Sequence, residues 1–309
     1  MIKVEDIAWV RFAAPDLDLM EEFLNDFGLV KVQRTDDRLF MRGHGAMPVS
    51  HVTERGAARQ IGFALTARSR TDLERVALAY KVQIGQRHEP GGGESATLED
   101  PDGNRVEVIH GFTPNATATR APFAFNADRD RTRHNGTVRI QAAPSLVQRL
   151  GHVALFTSRF KEMKAFYMDV LGMRVSDEYY AGPADNVMAT FLHCGLDQQF
   201  VDHHTVALIG NGRTGFEHCA FEVTDLDDLM SGNAHLVSRN RWTHSWGIGR
   251  HVEGSQIFDY WRDPFGNKIE HWTDGDLVND SYVAGRVEFN PYQCLSQWGP
   301  GVTRDFLEP

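Results

Sequence analysis

The stretch IFDYWRDPFGNKIEHW, residues 257–272, sets Asp-Pro-Phe-Gly-Asn between two aromatic-rich runs of strand character. Pro264, Gly266 and Asn267 are the punctuation of a β-hairpin. Centring its turn on Phe265 sets Arg262 against Lys268 and Tyr260 against Glu270, so that a phenol and a carboxylate share one face. A closely similar pattern stands earlier in the chain, as LEDPDGNRVEVIH at 98–110. A hairpin met twice points to a duplicated architecture.

Working outward from the two hairpins, residues 6–110 match residues 150–273. Each half opens with an apolar strand leading into an amphipathic helix that stops at glycine: DIAWVRFAAPDLDLMEEFLNDFGLV, ending at Gly28, and LGHVALFTSRFKEMKAFYMDVLGMRV, ending at Gly172. Leu17, Met20, Leu24 and Phe27, then Met163, Phe166, Val170 and Leu171, recur at near-helical spacing and predict a buried stripe. Each half then repeats a strand, helix and strands, as RQIGFALTARSRTDLERVALAY and FEHCAFEVTDLDDLMSGNAHLV. Thr71 and Glu74 have the spacing of a capping box. The fold expected is α+β, with two domains each of two βαβββ units. The expected boundaries are 1–110, a linker at 111–147, a second domain at 148–274, and a tail at 275–309 that folds back over the second domain and its site. Arg129, Arg131 and Arg133 in the linker alternate with Asp128 and Asp130 and read as a solvated strip.

Composition narrows the partners. With 309 residues the chain can bury the cores of two domains, and its formal net charge of -10 offers no attraction to nucleic acid or an anionic membrane. The opening residues MIKVEDIAWVRF lack a secretory pattern, and no apolar run of about 18 residues follows, so a cytoplasmic protein is expected. Cys194, Cys219 and Cys294 are too few and too scattered for a disulfide framework or a thiolate cage, and reduced thiols are expected. The fourteen histidines carry more information, because imidazole is both a common neutral metal ligand and a proton carrier near neutral pH.

Aligning the halves on their helix-stop glycines and closing hairpins isolates a constellation. His152 in LGHVAL falls opposite Ala8, His218 in FEHCAF falls opposite Gly62, and only the hairpin acid, Glu270 with Glu107, is common to both. A single strand histidine is ordinarily a satisfied core residue, but two at corresponding unit positions beside a shared glutamate form a set. Two imidazoles and one carboxylate on one side of an ion make the facial triad of non-haem Fe(II), which leaves positions open, whereas a closed structural zinc site wants four ligands. Strands suit the task because rigid elements hold a coordination sphere better than loops do.

The spacing in GRHVEGSQIFDYWRDPFGNKIE, a histidine nine residues before a tyrosine that precedes Asp-Pro-x-Gly and a final glutamate, resembles the signature of type I extradiol ring-cleavage dioxygenases of the vicinal oxygen chelate superfamily. The resemblance spans roughly residues 4–273. It implies a metal-free first domain and a second domain holding Fe(II), in rare members Mn(II), through His152, His218 and Glu270. It further implies His204 in DHHTVALIG as the acid/base residue, with His203 the competing neighbour expected on the other strand face. His251 and Tyr260 match a hydrogen-bonding pair near substrate and oxygen, and Arg250 matches a basic substrate-binding residue of some members, with a surface ion pair as its alternative. Asp259 departs from the pattern, which has an apolar residue there.

The activity implied is O2-dependent cleavage of a substituted catechol, a small aromatic diol, beside its two hydroxyls, giving a ring-opened semialdehyde or related acid in a homo-oligomeric enzyme. Two other classes share the fold. A glyoxalase-type metal isomerase would distribute its ligands differently and consume no oxygen, and a non-enzymatic ligand-sequestering protein would need no triad.

Overall fold

The Asp263 side chain closes the hairpin turn. Its Oδ1 accepts from the main-chain N–H of Phe265 at 2.8 Å and of Asn267 at 3.0 Å, and its Oδ2 accepts from the Asn267 side chain at 2.7 Å. Gly266 takes a φ of 91°, which a side chain would disfavour. Asp100 repeats the arrangement with Asp102 and Asn104, and Gly103 sits at φ 88°. The structure is a computed structural model describing residues 2–117 and 124–307, so the linker is described except for 118–123.

The first half runs β1 (Val4–Ala14), α1 (Leu17–Phe27), β2 (Val30–Arg34), β3 (Arg38–Arg42) and β4 (His51–Arg55), then β5 (Arg59–Ala67), α2 (Arg70–Tyr80), β6 (Gly85–Gln86), β7 (Glu94–Glu99) and β8 (Arg105–His110). The second half runs β9 (Val147–Phe156), α3 (Phe160–Ala165) continuing into a π turn at Phe166–Val170, β10 (Met173–Tyr180), β11 (Val187–Cys194), β12 (Val201–Asp202) and β13 (Val206–Ile209). Its second unit is β14 (Gly215–Val223), α4 (Leu226–Arg239), β15 (Thr243–Arg250), β16 (Ile257–Arg262) and β17 (Lys268–Thr273). The tail contributes β18 (Leu277–Val278), β19 (Gly285–Glu288), α5 (Pro291–Cys294) and α6 (Arg304–Leu307).

The paired units form one mixed sheet per half, in the order β2-β3-β4-β1-β5-β8-β7-β6 and β15-β16-β17-β14-β9-β13-β11-β10-β19. The α+β duplication is therefore present. The tail does more than fold over, because β19 joins the second sheet as an edge strand parallel to β10. Among the described residues no helix is long and apolar enough to cross a membrane, and Cys194, Cys219 and Cys294 are free and buried.

The predicted α1 stripe is fully buried, and Gly28 and Gly172 end their helices at φ 111° and 73°. Phe27 of α1 stacks on His271 at a ring distance of 3.6 Å, and its carbonyl accepts from His271 Nε2 at 2.7 Å. That contact clamps the outer face of β17 and so steadies Glu270 on the inner face. One local expectation is corrected: α2 is capped by Ser69, whose hydroxyl accepts from the Asp72 N–H at 3.1 Å. Ser69 and Asp72 have the capping-box spacing too, and Glu74 instead pairs with Arg70 at 3.0 Å.

Candidate metal centre

Three neighbouring strands carry the constellation. Ala220 on β14 pairs in register with His152 on β9 and with Glu270 on β17, and His218 precedes Ala220 by two residues, on the same face. His152 Nε2 and His218 Nε2 lie 3.1 Å apart, and each is 3.4 Å from Glu270 Oε2. Ligands about 2.1 Å from one ion and at right angles to each other stand about 3 Å apart, so these three atoms form one face of an octahedron. All three residues are buried, and neither Glu270 oxygen receives a well-formed hydrogen bond from the described residues. A carboxylate buried without a donor lacks a cation.

The electrostatics agree with that reading. Burial first, then the charges of His218 and His251, pushes His152 well below the usual histidine range and keeps its imidazole neutral, the form that binds a metal. Burial raises Glu270, a push that His218 and His251 oppose. In both groups the main cause is burial away from water, which disfavours the charged form.

His204 stacks obliquely on His152, with ring centres 4.1 Å apart, and is held well below the usual range by burial and then by His152. Tyr260 pairs with Glu270 across the hairpin, and its hydroxyl lies 2.9 Å from His251 Nε2. His204, His218, His251 and Tyr260 line one cavity of about 300 Å³, otherwise largely apolar, to which the tail contributes Leu295 and Phe306. Arg250 does not join them, because its guanidinium is held by Asp274 at 2.6 Å and by the Ser255 carbonyl at 2.6 Å. Asp259 leaves the register intact. It faces away from the cavity, accepting from His244, Trp261 and Asn233.

Two further features escaped the sequence reading. Glu217 and His218 are adjacent in sequence, yet the Glu217 carboxylate accepts from His218 Nδ1 and from the buried Lys268 ammonium. A register shift at Glu217 breaks strand alternation and brings its side chain beside its neighbour's. Burial raises the Glu217 carboxyl, but the charges of His218 and Lys268 outweigh it and bring the group down to about 2. The second feature is the counterpart of His152, which is Trp9 rather than Ala8: Trp9 pairs with Ala64 as His152 pairs with Ala220. Leu17 begins α1 as far beyond Trp9 as Phe160 begins α3 beyond His152, and the wide π turn before Gly172 accommodates the extra residue that displaced the alignment.

Residues 149–271 match the family model of the Glyoxalase/Bleomycin resistance protein/Dioxygenase superfamily. Metapyrocatechase 2 of Cupriavidus necator is 29% identical, the match covering 98% of this chain and 92% of that protein. An iron-dependent extradiol dioxygenase of Rhodococcus jostii (strain RHA1) is 25% identical, over 96% of this chain and 97% of its own. Among solved structures, a Mn(II)-bound glyoxalase from Novosphingobium aromaticivorans shares the fold with a TM-score of 0.82 and 24% identity, covering 100% of this chain and 96% of that one.

Proposed function

We propose that this protein, whose residues 149–271 match the Glyoxalase/Bleomycin resistance protein/Dioxygenase superfamily model, is an extradiol dioxygenase cleaving a substituted catechol with O2. One observation carries the reading: three proton-handling groups, His204, His251 and Tyr260, line a single cavity together with His218, one of the three residues, with His152 and Glu270, whose ligand atoms cluster to hold an ion. The near full-length match to Metapyrocatechase 2 supports it.

An ion held by the three ligands, Fe(II) with Mn(II) as the alternative, would supply a Lewis acid at which both diol oxygens and O2 gather. The chain's own residues do the rest. His204 takes a proton from a diol hydroxyl and returns one to an O2-derived oxygen as the O–O bond breaks, both oxygen atoms staying in the product. On the other side of the cavity the Tyr260 hydroxyl can donate to a developing oxyanion, and His251, whose Nδ1 donates to the Leu295 carbonyl, positions that hydroxyl through Nε2. Met188, Phe191, Ile209 and Phe306 exclude water and seat an apolar ring substituent. With Arg250 committed to Asp274, an anionic substituent gains nothing from it. Three buried free thiols suit a reducing cytoplasm, and the exposed Val283 and Tyr292 of the tail suit cover by a second copy of the chain.

The competing isomerase reading draws on the likeness to the Mn(II)-bound glyoxalase. Oxygen decides between them. Protein loaded anaerobically with Fe(II), and separately with Mn(II), is expected to take up one O2 per catechol when given alkyl-, chloro- and carboxyalkyl-substituted catechols, with the alkyl compounds preferred. Metal-loaded protein that consumes no oxygen with any of them overturns the proposal.

A further inference from the structure

His203 and His204 are both buried and stand in an irregular stretch between β12 and β13, where strand alternation does not apply. Instead of pointing to opposite faces, the two rings meet edge to face, Nδ1 to Nδ1 at 3.1 Å. The other nitrogen of His203, Nε2, lies 2.7 Å from Oδ2 of the buried Asp177 on β10. Among the described residues no Lys or Arg pairs with Asp177. Its Oδ1 accepts from the Gly285 N–H at 2.6 Å, its Oδ2 accepts from the Tyr282 hydroxyl at 3.3 Å, and Glu253 stands beside it with a carboxyl raised by burial and then by the Asp177 charge. A Cβ at Gly285 would fall 2.4 Å from Oδ1, so the tail strand can come this close only as glycine.

Donor and acceptor counting gives this chain a direction. A carboxylate only accepts, so His203 donates from Nε2, and a ring with its one hydrogen there offers a lone pair at Nδ1. His204 must donate to that lone pair from its own Nδ1. Its Nε2 is thereby left unprotonated for the cavity. We propose that Asp177 and His203 are positioning residues that fix the His204 tautomer, so that it enters the reaction as a base at Nε2. The inference rests on the reading of His204 as the proton carrier. A buried aspartate that orients an imidazole in this way is a general device of acid–base sites.

Asp177→Asn tests the direction with little change of shape. Because the Gly285 N–H needs an acceptor, the amide oxygen is held on that side and the NH2 group faces His203 Nε2. The hydrogens of both imidazoles then shift, and His204 presents N–H to the cavity in place of a lone pair. In the metal-loaded protein kcat is expected to fall by about 10²-fold, within what acid–base catalysis supplies, while bound metal and anaerobic catechol affinity hold. Asp177→Glu, which keeps an acceptor, should recover much of the turnover. His203→Phe, with similar ring volume, should lower kcat less, since His204 is then free to adopt either tautomer.

Wild-type kcat in Asp177→Asn beside an inactive His204→Phe would overturn this inference and leave the proton-carrier reading standing. Full activity in His204→Phe would remove the reading beneath it. Should Asp177→Asn fail to fold, wild-type kcat in His203→Phe overturns the inference equally.

Discussion

Glu107 and Glu270 occupy equivalent places on the two closing strands, paired in register with Ala64 and Ala220. Both are buried. Glu107 accepts from Arg11 Nε at 3.0 Å and lies 2.9 Å from its NH2 group, and this buried guanidinium also meets Glu54 at 2.8 Å. Among the described residues Glu270 has no Lys or Arg side chain comparably placed, only imidazoles. Where the second half sets His152, the first has Trp9, with Arg87 stacked over its ring at 4.4 Å. Where the second half sets His218, the first has Gly62, whose Cβ would fall 1.9 Å from the Arg105 carbonyl oxygen. One backbone frame thus buries two carboxylates, and the first half supplies the counter-charge covalently. The second half must take its cation from solution.

Exchanging each glutamate for glutamine would break this contrast if it is wrong. The largest effect belongs to Glu270→Gln, which should lose metal by more than the roughly 10–100-fold typical of an outer hydrogen-bond partner, because an amide cannot neutralise the ion. Oxygen uptake should go with it. In the metal-free state the same variant should be as stable as the parent or more so, since it removes a buried charge that has no partner. Glu107→Gln should do the reverse, leaving metal content and oxygen uptake intact while lowering the unfolding free energy by about 1.5–3 kcal/mol, the worth of a buried charge-assisted hydrogen bond, because Arg11 loses its most buried carboxylate partner but keeps Glu54 and Glu89. Metal analysis and denaturant unfolding of the two proteins decide the point, and equal metal loss in both would mean that the halves are not different in kind.

The features legible in the sequence are those that follow from period and repetition. The hairpin register, the α1 stripe and the strands bearing His152, His218 and Glu270 all follow from patterns that local chain geometry enforces. Features that depend on a local break in period stayed hidden. The π turn shifted the counterpart of His152 from Ala8 to Trp9, and the bulge at Glu217 turned a residue adjacent to His218 to its side. Features that depend on distant chain were hidden as well. Asp177 meets His203 across 26 positions and Gly285 across 108, and no spacing rule links them. Arg250 is the opposite case, a residue placed by resemblance whose actual partner, Asp274, lies on the loop after β17.

The smallest effect sharpens the contrast at the bulge itself. Ile61 holds in β5 the place that Glu217 holds in β14, so the carboxylate support exists only in the half that has a histidine to support. Because Glu217 accepts from His218 Nδ1, the hydrogen stays on that nitrogen and the lone pair of Nε2 points at the ion site. In Glu217→Gln the Lys268 ammonium, which can only donate, claims the amide oxygen, and the NH2 group turned to His218 drives its hydrogen onto Nε2. Metal affinity should fall by roughly 10–100-fold, the usual cost of losing such a partner, with the fold retained. Lys268 also donates to the Phe306 carbonyl at 2.9 Å, so the single variant Lys268→Met should loosen the end of the tail while leaving Glu217 on His218. Combined with Glu217→Gln, however, it frees the amide oxygen to accept from Nδ1, and the double variant should bind metal more tightly than Glu217→Gln alone. Such a rescue is a coupling between neighbours that a purely structural role for Glu217 would not produce; additive losses would show that the carboxylate only fills the bulge, as Ile61 does in the half that carries its own cation.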